Sequence, residues 1–228
     1  MSRPMGTWPP LPPQPPEPPA PRPSPWQPGP RLVPPGPTTA SASLTIGVQD
    51  LLEERLLAQR MVALAGELDA ETVNRTVATL ALFDADGDTP VRLRLSGVSA
   101  DLDAALTLVD ALDLMSVPVH AATLGTLTGP AIAILAVADH RIAGEHAVLH
   151  MSEPRQPHGI HGQGLDSWVA EQARRLRRLQ ERMADACART VTELAADMAA
   201  GRVLTAREAE EYGLVDSTGG TTPGRPGD

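Results

Sequence analysis

The sequence predicts one α/β domain with largely parallel strands, and three observations support this fold class. Apolar runs typical of buried strands alternate with amphipathic helical patterns at short intervals from residue 48 to about residue 153. The stretch 41–217 has the size of one ordinary domain and is large enough to bury a core. No internal repeat is visible. We therefore expect crossover connections between parallel strands.

The first 40 residues have a different composition. Of the 24 prolines in the chain, 17 lie within the first 37 residues. Proline lacks a backbone N–H and fixes φ, so residues 1–40 are predicted to form a disordered proline-rich tail. This tail could be a removable leader, a ligand for a polyproline-binding module or a spacer. Residues 218–228 are predicted to be a second flexible tail.

Charge and composition exclude several classes of function. The net charge is −9 at pH 7, and an acidic surface repels phosphate backbones, so nucleic-acid binding is not expected. No apolar run approaches the roughly 18 residues of a membrane span, and the secretory signal pattern is missing. The sequence therefore predicts a cytoplasmic protein that does not bind membranes. Cys187 has no disulfide partner and is expected to be a small core residue.

The first half of the domain is predicted to contain three helices and three strands. Asp69 is placed to cap the second helix. Its apolar stripe is predicted to be Val73, Val77, Leu80 and Leu82. The elements in order are a helix at 48–57, a strand at 60–66, a helix at 69–85, a strand at 90–96, a helix at 100–115 and a strand at 117–124.

The second half is predicted to begin with a helix at 129–139 and strands at 140–144 and 147–153. A long helix from Leu165 to about Thr190 follows. It has one apolar face and a back rich in arginine, so it could lie on its own domain or project towards a partner. The chain then shows a capping box formed by Thr205 and Glu208 and a helix stop at Gly213.

Three stretches resemble the ClpP family, the proteolytic subunits of the Clp protease. They are "LLEERL", "VRLRLSGVSADLDAALTLVDAL" and "VLTAREAEEYGLVDS". The family has "LLKER", "IYLYINSPGGSV" and "FLSAxEAxEYGLVD" at these places. The resemblance covers about residues 50–217. It implies the spiral of βαβ units that this family shares with crotonases, with the helix Leu165–Thr190 as a protruding handle.

The resemblance also implies partners. ClpP subunits form two rings of seven, interlocked by their handles around a closed chamber. This chain would then be a homo-oligomer, or a hetero-oligomer with active ClpP-like subunits, with an ATPase unfoldase as a possible further partner. The sequence does not specify the role of the proline-rich tail, the ring size or the identity of the ATPase.

The chemistry of the family is that of a serine peptidase, in which a serine attacks, a histidine takes its proton and an aspartate orients the histidine. The family phrase "GMAASMGA" falls on "TLGTLTGP" and places Leu127 at the serine position. The phrase "VMIHQP" falls on "LHMSEP" and places Ser152 at the histidine position. The interval between these two positions equals the family interval. Asp197 matches the family aspartate.

The oxyanion side is altered as well, because Ser99 and Ala100 stand where the family has glycines. The two N–H groups implied by the resemblance belong to Ala100 and Thr128. Leucine cannot attack a carbonyl, and serine in place of histidine cannot act as a general base near neutral pH. The sequence therefore predicts a catalytically impaired or inactive subunit with a structural or regulatory role.

Two other functions remain open at the level of sequence. A shifted site could use Thr126 or Thr128 as nucleophile, with His150 and Asp197, because positions two apart on a strand share a face. A crotonase-like acyl-CoA enzyme would use the same spiral and two backbone N–H groups.

The histidines suggest no metal site by their spacing, and the loop that carries two of them offers no cysteine ligand. They are His146, His150, His158 and His161. We predict neither a metal nor a cofactor.

Overall fold

The computed structural model describes residues 48–154 and 165–219. The predicted tail at 1–40 and all but the first two residues of the predicted tail at 218–228 lie outside the described residues. The helices are α1 Val48–Ala58, α2 Ala70–Ala85, α3 Leu102–Asp113, α4 Ala131–Ala136, α5 Leu165–Cys187, α6 Val191–Ala199 and α7 Ala206–Tyr212. The strands are β1 Met61–Leu68, β2 Val91–Ala100, β3 Val119–Leu124, β4 Thr126–Thr128, β5 His140–Gly144, β6 Val148–His150, β7 Val203–Thr205 and β8 Ser217–Gly219.

The eight strands form one curled sheet in the order β7-β6-β4-β2-β3-β5-β8, with β1 paired to β2. All pairs are parallel except β6 with β7. Strand β2 is long enough to pair with β3 along its first half and with β4 near its end. The predicted α/β class with largely parallel strands and βαβ units is confirmed.

The buried stripe of α2 differs from the predicted one at its carboxyl-terminal end. Asp69 caps α2, as predicted, by accepting a hydrogen bond from the N–H of Thr72 at 2.8 Å. The prediction that Leu82 belongs to the buried stripe is wrong, because this side chain is 65% exposed. Phe83 takes its place, since residues three or four apart share a helix face and Phe83 follows Leu80 by three.

Helix α4 lies in the core of the described domain. All six of its residues are buried. A helix without a polar face is stable only when other elements shield it from water on all sides. Helix α4 accordingly packs against β2, β3 and β4 of the sheet and against α3 and α5. The turn that leads into this helix carries the residues of the candidate site.

The long helix ends earlier than predicted. Helix α5 stops at Cys187 rather than Thr190, because Ala188 has a φ of 53°, which no right-handed helix accommodates. Thr190 instead begins α6, a helix that was not predicted, through a capping box with Glu193. The second capping box, Thr205 with Glu208, is where the sequence places it.

Helix α5 lies on its own domain along its last turns. Leu179, Met183 and Cys187 are buried there, and the core position predicted for Cys187 is confirmed. Two of its arginines bind α3, since Arg175 pairs with Asp103 and Arg182 with Asp113. The arginine-rich back of the helix is thus partly an internal contact.

Three short strands were not predicted as such: β4, β7 and β8. Each has only three residues, too few for alternation to be visible in sequence. Strand β8 pairs with β5 and reaches Gly219, so it extends beyond residue 217. Of the helices in the described ranges, none is both long and apolar enough to cross a membrane.

Candidate functional site

The position that corresponds to the family serine is a core position in this chain. Leu127 lies in the middle of β4, where it is paired with Leu149 of β6, which is paired in turn with Leu204 of β7. These three leucines are 0%, 0% and 1% exposed. Register partners on neighbouring strands share a face, so they form one apolar row of the core.

The neighbouring row carries polar side chains. Thr128 is the register partner of His150 on one side and of Ser99 on the other. All three are half-buried. The alternation along a strand therefore puts the threonine and the histidine side by side, and it puts Leu127 on the opposite side of the sheet.

A tight turn at Gly129 joins β4 to α4. Its φ is +62°, a left-handed conformation that glycine adopts without a steric penalty. The N–H of Gly129 donates to the carbonyl of His150 at 2.9 Å, which fixes the turn against β6. A Cβ at this position would lie 3.3 Å from Oγ of Ser152, so the glycine also lets the Ser152 side chain approach closely.

A small pocket of about 50 Å³ opens at this turn. Its lining comprises Glu67, Ser99, Ala100, Asp101, Thr128, Gly129, Pro130, Ser152 and Glu153. The structure thus brings together four positions predicted from the sequence: Ser99, Ala100, Thr128 and Ser152. Leu127, His150 and Asp197 do not line it.

The pocket is acidic, a property that the sequence analysis does not predict. Its lining includes the carboxyl-bearing residues Glu67, Asp101 and Glu153, and it contains no arginine or histidine. Asp101 also caps α3 by accepting from the N–H of Ala104 at 2.7 Å. Glu153 directly follows Ser152 in the chain and could have been suspected from that position, whereas Glu67 reaches the pocket only through the pairing of β1 with β2.

A larger groove of about 490 Å³ has Asp101 and Glu153 in common with this pocket. Leu102 of α3 forms one apolar side, and Trp168, Val169 and Leu176 of α5 form the other. The first half of α5 is therefore separated from α3 by this groove, whereas the last turns of α5 pack against the domain.

Asp197, the residue that matches the family aspartate, has two partners. Its carboxylate accepts from the hydroxyl of Tyr212 at 2.8 Å, and both of its oxygens lie 3.2 Å from Nη1 of Arg202. In the described part of the chain, Asp197 makes no hydrogen bond with His150 or Ser152. Its charge is neutralised by Arg202, so the carboxylate does not require a histidine.

Two guanidinium groups lie close to the ring of Tyr212. Arg189 lies 4.7 Å and Arg202 5.3 Å from the centre of its ring. Burial, followed by the hydrogen bond to the Asp197 carboxylate, raises the pKa of the phenol well above its ordinary value. Tyr212 belongs to the quoted "EEYGLVDS" stretch, but only its position in space shows that it contacts Asp197.

The segment expected to form an oxyanion hole is part of a strand. Ser99 and Ala100 end β2, where they are paired with Glu67 and Leu68 of β1. The left-handed residue in this region is Gly97, with a φ of +61°, and β1 shifts register opposite it. This left-handed glycine lies two residues before Ser99, the first of the two positions at which the family has a glycine.

No metal centre is found within residues 48–154 and 165–219, where no group of three or more histidine, cysteine, aspartate or glutamate side chains is placed to hold an ion. His146 and His150 belong to these ranges. His158 and His161 lie outside the described residues.

A family model described as Clp protease matches residues 48–221, about three quarters of the chain. This chain belongs to the Clp protease family. The match covers every described element of the fold, from α1 to β8. Clp proteases are in general oligomeric assemblies that work with ATPase partners.

Curated relatives agree with this family. The chain is 30% identical over 185 residues to the ATP-dependent Clp protease proteolytic subunit 3 of Rhodococcus jostii (strain RHA1), covering 78% of this chain and 90% of the relative. It is 28% identical to proteolytic subunit 2 of Nocardia farcinica (strain IFM 10152), covering 77% and 88%. It is 26% identical to proteolytic subunit 3 of Streptomyces avermitilis, covering 84% and 88%.

Proposed function

We propose that this chain is a non-catalytic subunit of a Clp protease assembly. The observation that carries the proposal is the burial of Leu127, which is 0% exposed at the position of the family nucleophile. An apolar side chain in the core can neither attack a carbonyl nor be reached by a peptide. Ser152, at the position of the family base, has a hydroxyl that cannot take a proton near neutral pH.

The environment of Asp197 supports the same proposal. In a serine triad the aspartate orients the histidine and stabilises its protonated form. Here Arg202 and Tyr212 satisfy the carboxylate. The aspartate of the family position thus holds the loop between α6 and β7 in place, a structural role that does not depend on chemistry.

Assembly is the role that this proposal assigns. The relatives are named as proteolytic subunits of ATP-dependent Clp proteases. We infer that the chain joins a homo-oligomer, or a hetero-oligomer with active ClpP-like subunits, and works beside an ATPase unfoldase in the cytoplasm, where ATP is available. The handle helix α5 would provide part of this contact, because its first half leaves Val169 exposed beside an open groove.

A fluorophosphonate probe tests the absence of a nucleophile. We expect no label on the purified full-length chain and no hydrolysis of short fluorogenic peptides, with an active Clp proteolytic subunit as positive control. The test is repeated with that subunit mixed in, and intact mass spectrometry separates the two chains. Label on this chain in either sample would overturn the proposal.

Co-purification tests the assembly. Native mass spectrometry of this chain, alone and with the active subunits of the same cell, is expected to show an oligomer that contains it. A monomer under all these conditions would refute the assembly role and leave the inactivity untouched.

The pairing of Thr128 with His150 favours a second candidate, a divergent threonine-type peptidase. The two residues are register partners, and Thr128 lines the small pocket. In this case Thr128→Ala abolishes any peptide hydrolysis. Thr126→Ala is the matched control, because Thr126 lies on the same strand outside that pocket. Equal turnover in the two variants would exclude this candidate.

A further inference from the structure

Two histidines lie side by side on the surface of the sheet. His120 of β3 and His140 of β5 are register partners on neighbouring parallel strands. Register partners share a face, so both side chains leave the sheet on the same side. Both are exposed, and their ring centres are 5.5 Å apart. We call these two residues the histidine pair.

The imidazoles of the pair have few other contacts. Their rings meet edge to face, with an angle of 72° between the ring planes. Nδ1 of His140 lies 3.6 Å from Oδ2 of Asp216, slightly beyond hydrogen-bond distance. Within the described ranges, neither ring makes a hydrogen bond, although a neutral imidazole carries one donor and one acceptor nitrogen. Both rings therefore keep a nitrogen lone pair that can bind a ligand.

The spacing of the pair matches that of two ligands on one metal ion. An ion bound by a ring nitrogen at about 2.0–2.1 Å lies about 3.2 Å from the centre of that ring. Two imidazoles on one tetrahedral ion thus have ring centres about 5.2 Å apart. The strands already hold the two rings at 5.5 Å. Rotation about χ2, which has broad preferences in histidine, is the adjustment that directs both lone pairs at one ion.

A carboxylate lies behind one member of the pair. Nδ1 of His140 faces Asp216, so Nε2 of this ring remains for an external ligand. The carboxylate is fixed in place, because its Oδ2 accepts from the backbone N–H of Arg141 at 2.7 Å. Histidines that bind metals commonly direct their second ring nitrogen at a carboxylate, which orients the ring and raises its basicity. His140 thus has the surroundings of a metal ligand.

The charges near the pair are compatible with a bound cation. Arg92 is the register partner of His120 on β2, but its guanidinium donates to the carbonyl of Gln59 at 3.2 Å. Gln59 precedes β1, which pairs with the edge of β2 opposite to β3, so this charge is directed away from the histidines. Arg141 is ion-paired with Asp216. The net charge of −9 favours a cation over an anion.

We propose that the histidine pair binds Zn²⁺ on the surface of the sheet. The imidazoles supply two ligands, and water completes the four-coordinate shell. With two protein ligands, this site differs from centres built of three or more side chains, of which the described ranges contain none. A bound ion connects β3 to β5 and stabilises the folded chain, because the unfolded chain does not hold the two rings at this distance.

The site is independent of the proposed function. Neither histidine lines the small acidic pocket or the groove between α3 and α5. The single cysteine, Cys187, is buried and does not compete for the ion in the folded chain. Loss of metal binding would therefore leave the assignment of a non-catalytic subunit unchanged.

Isothermal titration calorimetry with ZnCl₂ tests the proposal on the full-length chain without a polyhistidine tag. We expect saturable binding of one ion per chain, weakened at least tenfold in His120→Gln and in His140→Gln. Thermal unfolding followed by circular dichroism should show that Zn²⁺ raises the melting temperature of the parent, and both variants should lose this rise. The same spectra check that the variants are folded.

Two further histidine variants serve as matched controls. His146→Gln removes an exposed histidine outside the pair, and His158→Gln/His161→Gln removes two that lie outside the described residues. Both should bind Zn²⁺ like the parent. MgCl₂ is the control ion, because Mg²⁺ prefers oxygen ligands and should produce no heat of binding.

Three outcomes would overturn the proposal. The first is the absence of saturable Zn²⁺ binding by the parent chain. The second is equal affinity in the parent and in both variants of the histidine pair. The third is a loss of binding in His158→Gln/His161→Gln that the variants of the pair do not show, which would assign the ion to that segment.

Discussion

At the scale of single residues, Leu127 shows how a site can keep its backbone while its side chain takes a different role. The Gly129 turn and the start of α4 follow the family pattern. The leucine between the two threonines is nevertheless in the core row with Leu149 and Leu204. Burial of a leucine side chain contributes about 2–3 kcal/mol to stability. The residue that could have carried chemistry therefore stabilises the fold.

Replacing Leu127 by serine should destabilise the protein by about 3–5 kcal/mol, because it leaves a cavity and buries a hydroxyl. Urea unfolding followed by circular dichroism measures this. Leu114→Ser is the control, since Leu114 is 83% exposed and its loss should cost less than about 0.5 kcal/mol. Similar midpoints for the two variants would contradict the core position of Leu127.

Tyr212 should remain protonated in alkali as long as the protein is folded. Its folded-state pKa lies above the ordinary value of 10, so the associated stability is complete below pH 10 and is lost as the pH rises towards the folded value. It is the single tyrosine of the chain, so absorbance at 295 nm reports on it alone. We expect the rise in absorbance to coincide with alkaline unfolding.

Asp197→Asn provides the comparison for this titration, since it removes one cause of the raised pKa. The phenol of this variant should ionise at lower pH than in the parent. Ionisation near pH 10 in the folded parent would show that Tyr212 is not buried against Asp197.

At the scale of elements, the junction of α5 and α6 was the least predictable part of the described fold. The helical pattern runs on through Ala188 and Arg189, and only the left-handed φ of Ala188 shows where α5 ends. The signal that sequence does contain is local: Thr190 and Glu193 have the spacing of a capping box. A capping box inside an apparently continuous helical pattern thus indicates a helix boundary more reliably than the continuity of the pattern indicates a single helix.

Ala188→Gly should stabilise the protein by up to about 1 kcal/mol, because glycine relieves the strain of a left-handed conformation while losing some backbone entropy. Ala196→Gly in α6 makes the same change in a regular helix and should destabilise by about 0.5–1 kcal/mol. Thermal unfolding of both variants measures the difference. A loss of stability in Ala188→Gly would refute the strained junction.

At the scale of the whole molecule, Arg141 connects distant parts of the chain. Nε and Nη2 of its side chain both donate to Oδ1 of Asp216, and Nη1 donates to the carbonyls of Ala136, Ala186 and Gly213. Ala136 ends α4, and Ala186 lies in the last turn of α5. Gly213 directly follows α7, and Asp216 directly precedes β8. A single strand residue whose side chain is 15% exposed thus joins the sheet to three helices, and no sequence pattern indicates this.

Arg141→Ala should cost about 3 kcal/mol, because it leaves three carbonyls without their donor and removes the guanidinium from the Asp216 carboxylate, which keeps the backbone N–H of residue 141 as a donor. Arg207→Ala is the matched control, since Arg207 pairs with Glu211 on an exposed helix surface. Such a surface pair contributes less than about 1 kcal/mol. Chemical denaturation of both variants is the measurement, and equal costs would show that Arg141 does not connect the helices.

The long elements could be predicted because their periodicity is local. Val91–Ala100 alternates over its first half as a half-buried strand does, and Asp69 and Thr205 have the positions of helix caps. The short strands β4, β7 and β8 could not be predicted, since three residues carry no period and their pairing comes from distant segments. The resemblance placed Ser152 and Ala100 near one another, and both line the small pocket.

The sequence by itself determined the α/β class, the family and the identity of the residues at the catalytic positions, because these depend on local pattern and on matched phrases. Only the tertiary structure decided what those residues do. Leu127 became a core residue through the pairing of β4 with β6, and Asp197 acquired Tyr212 and Arg202 through the fold of the last 30 described residues. Contacts between residues far apart in the chain leave no periodic trace in sequence, so spatial proximity had to supply them.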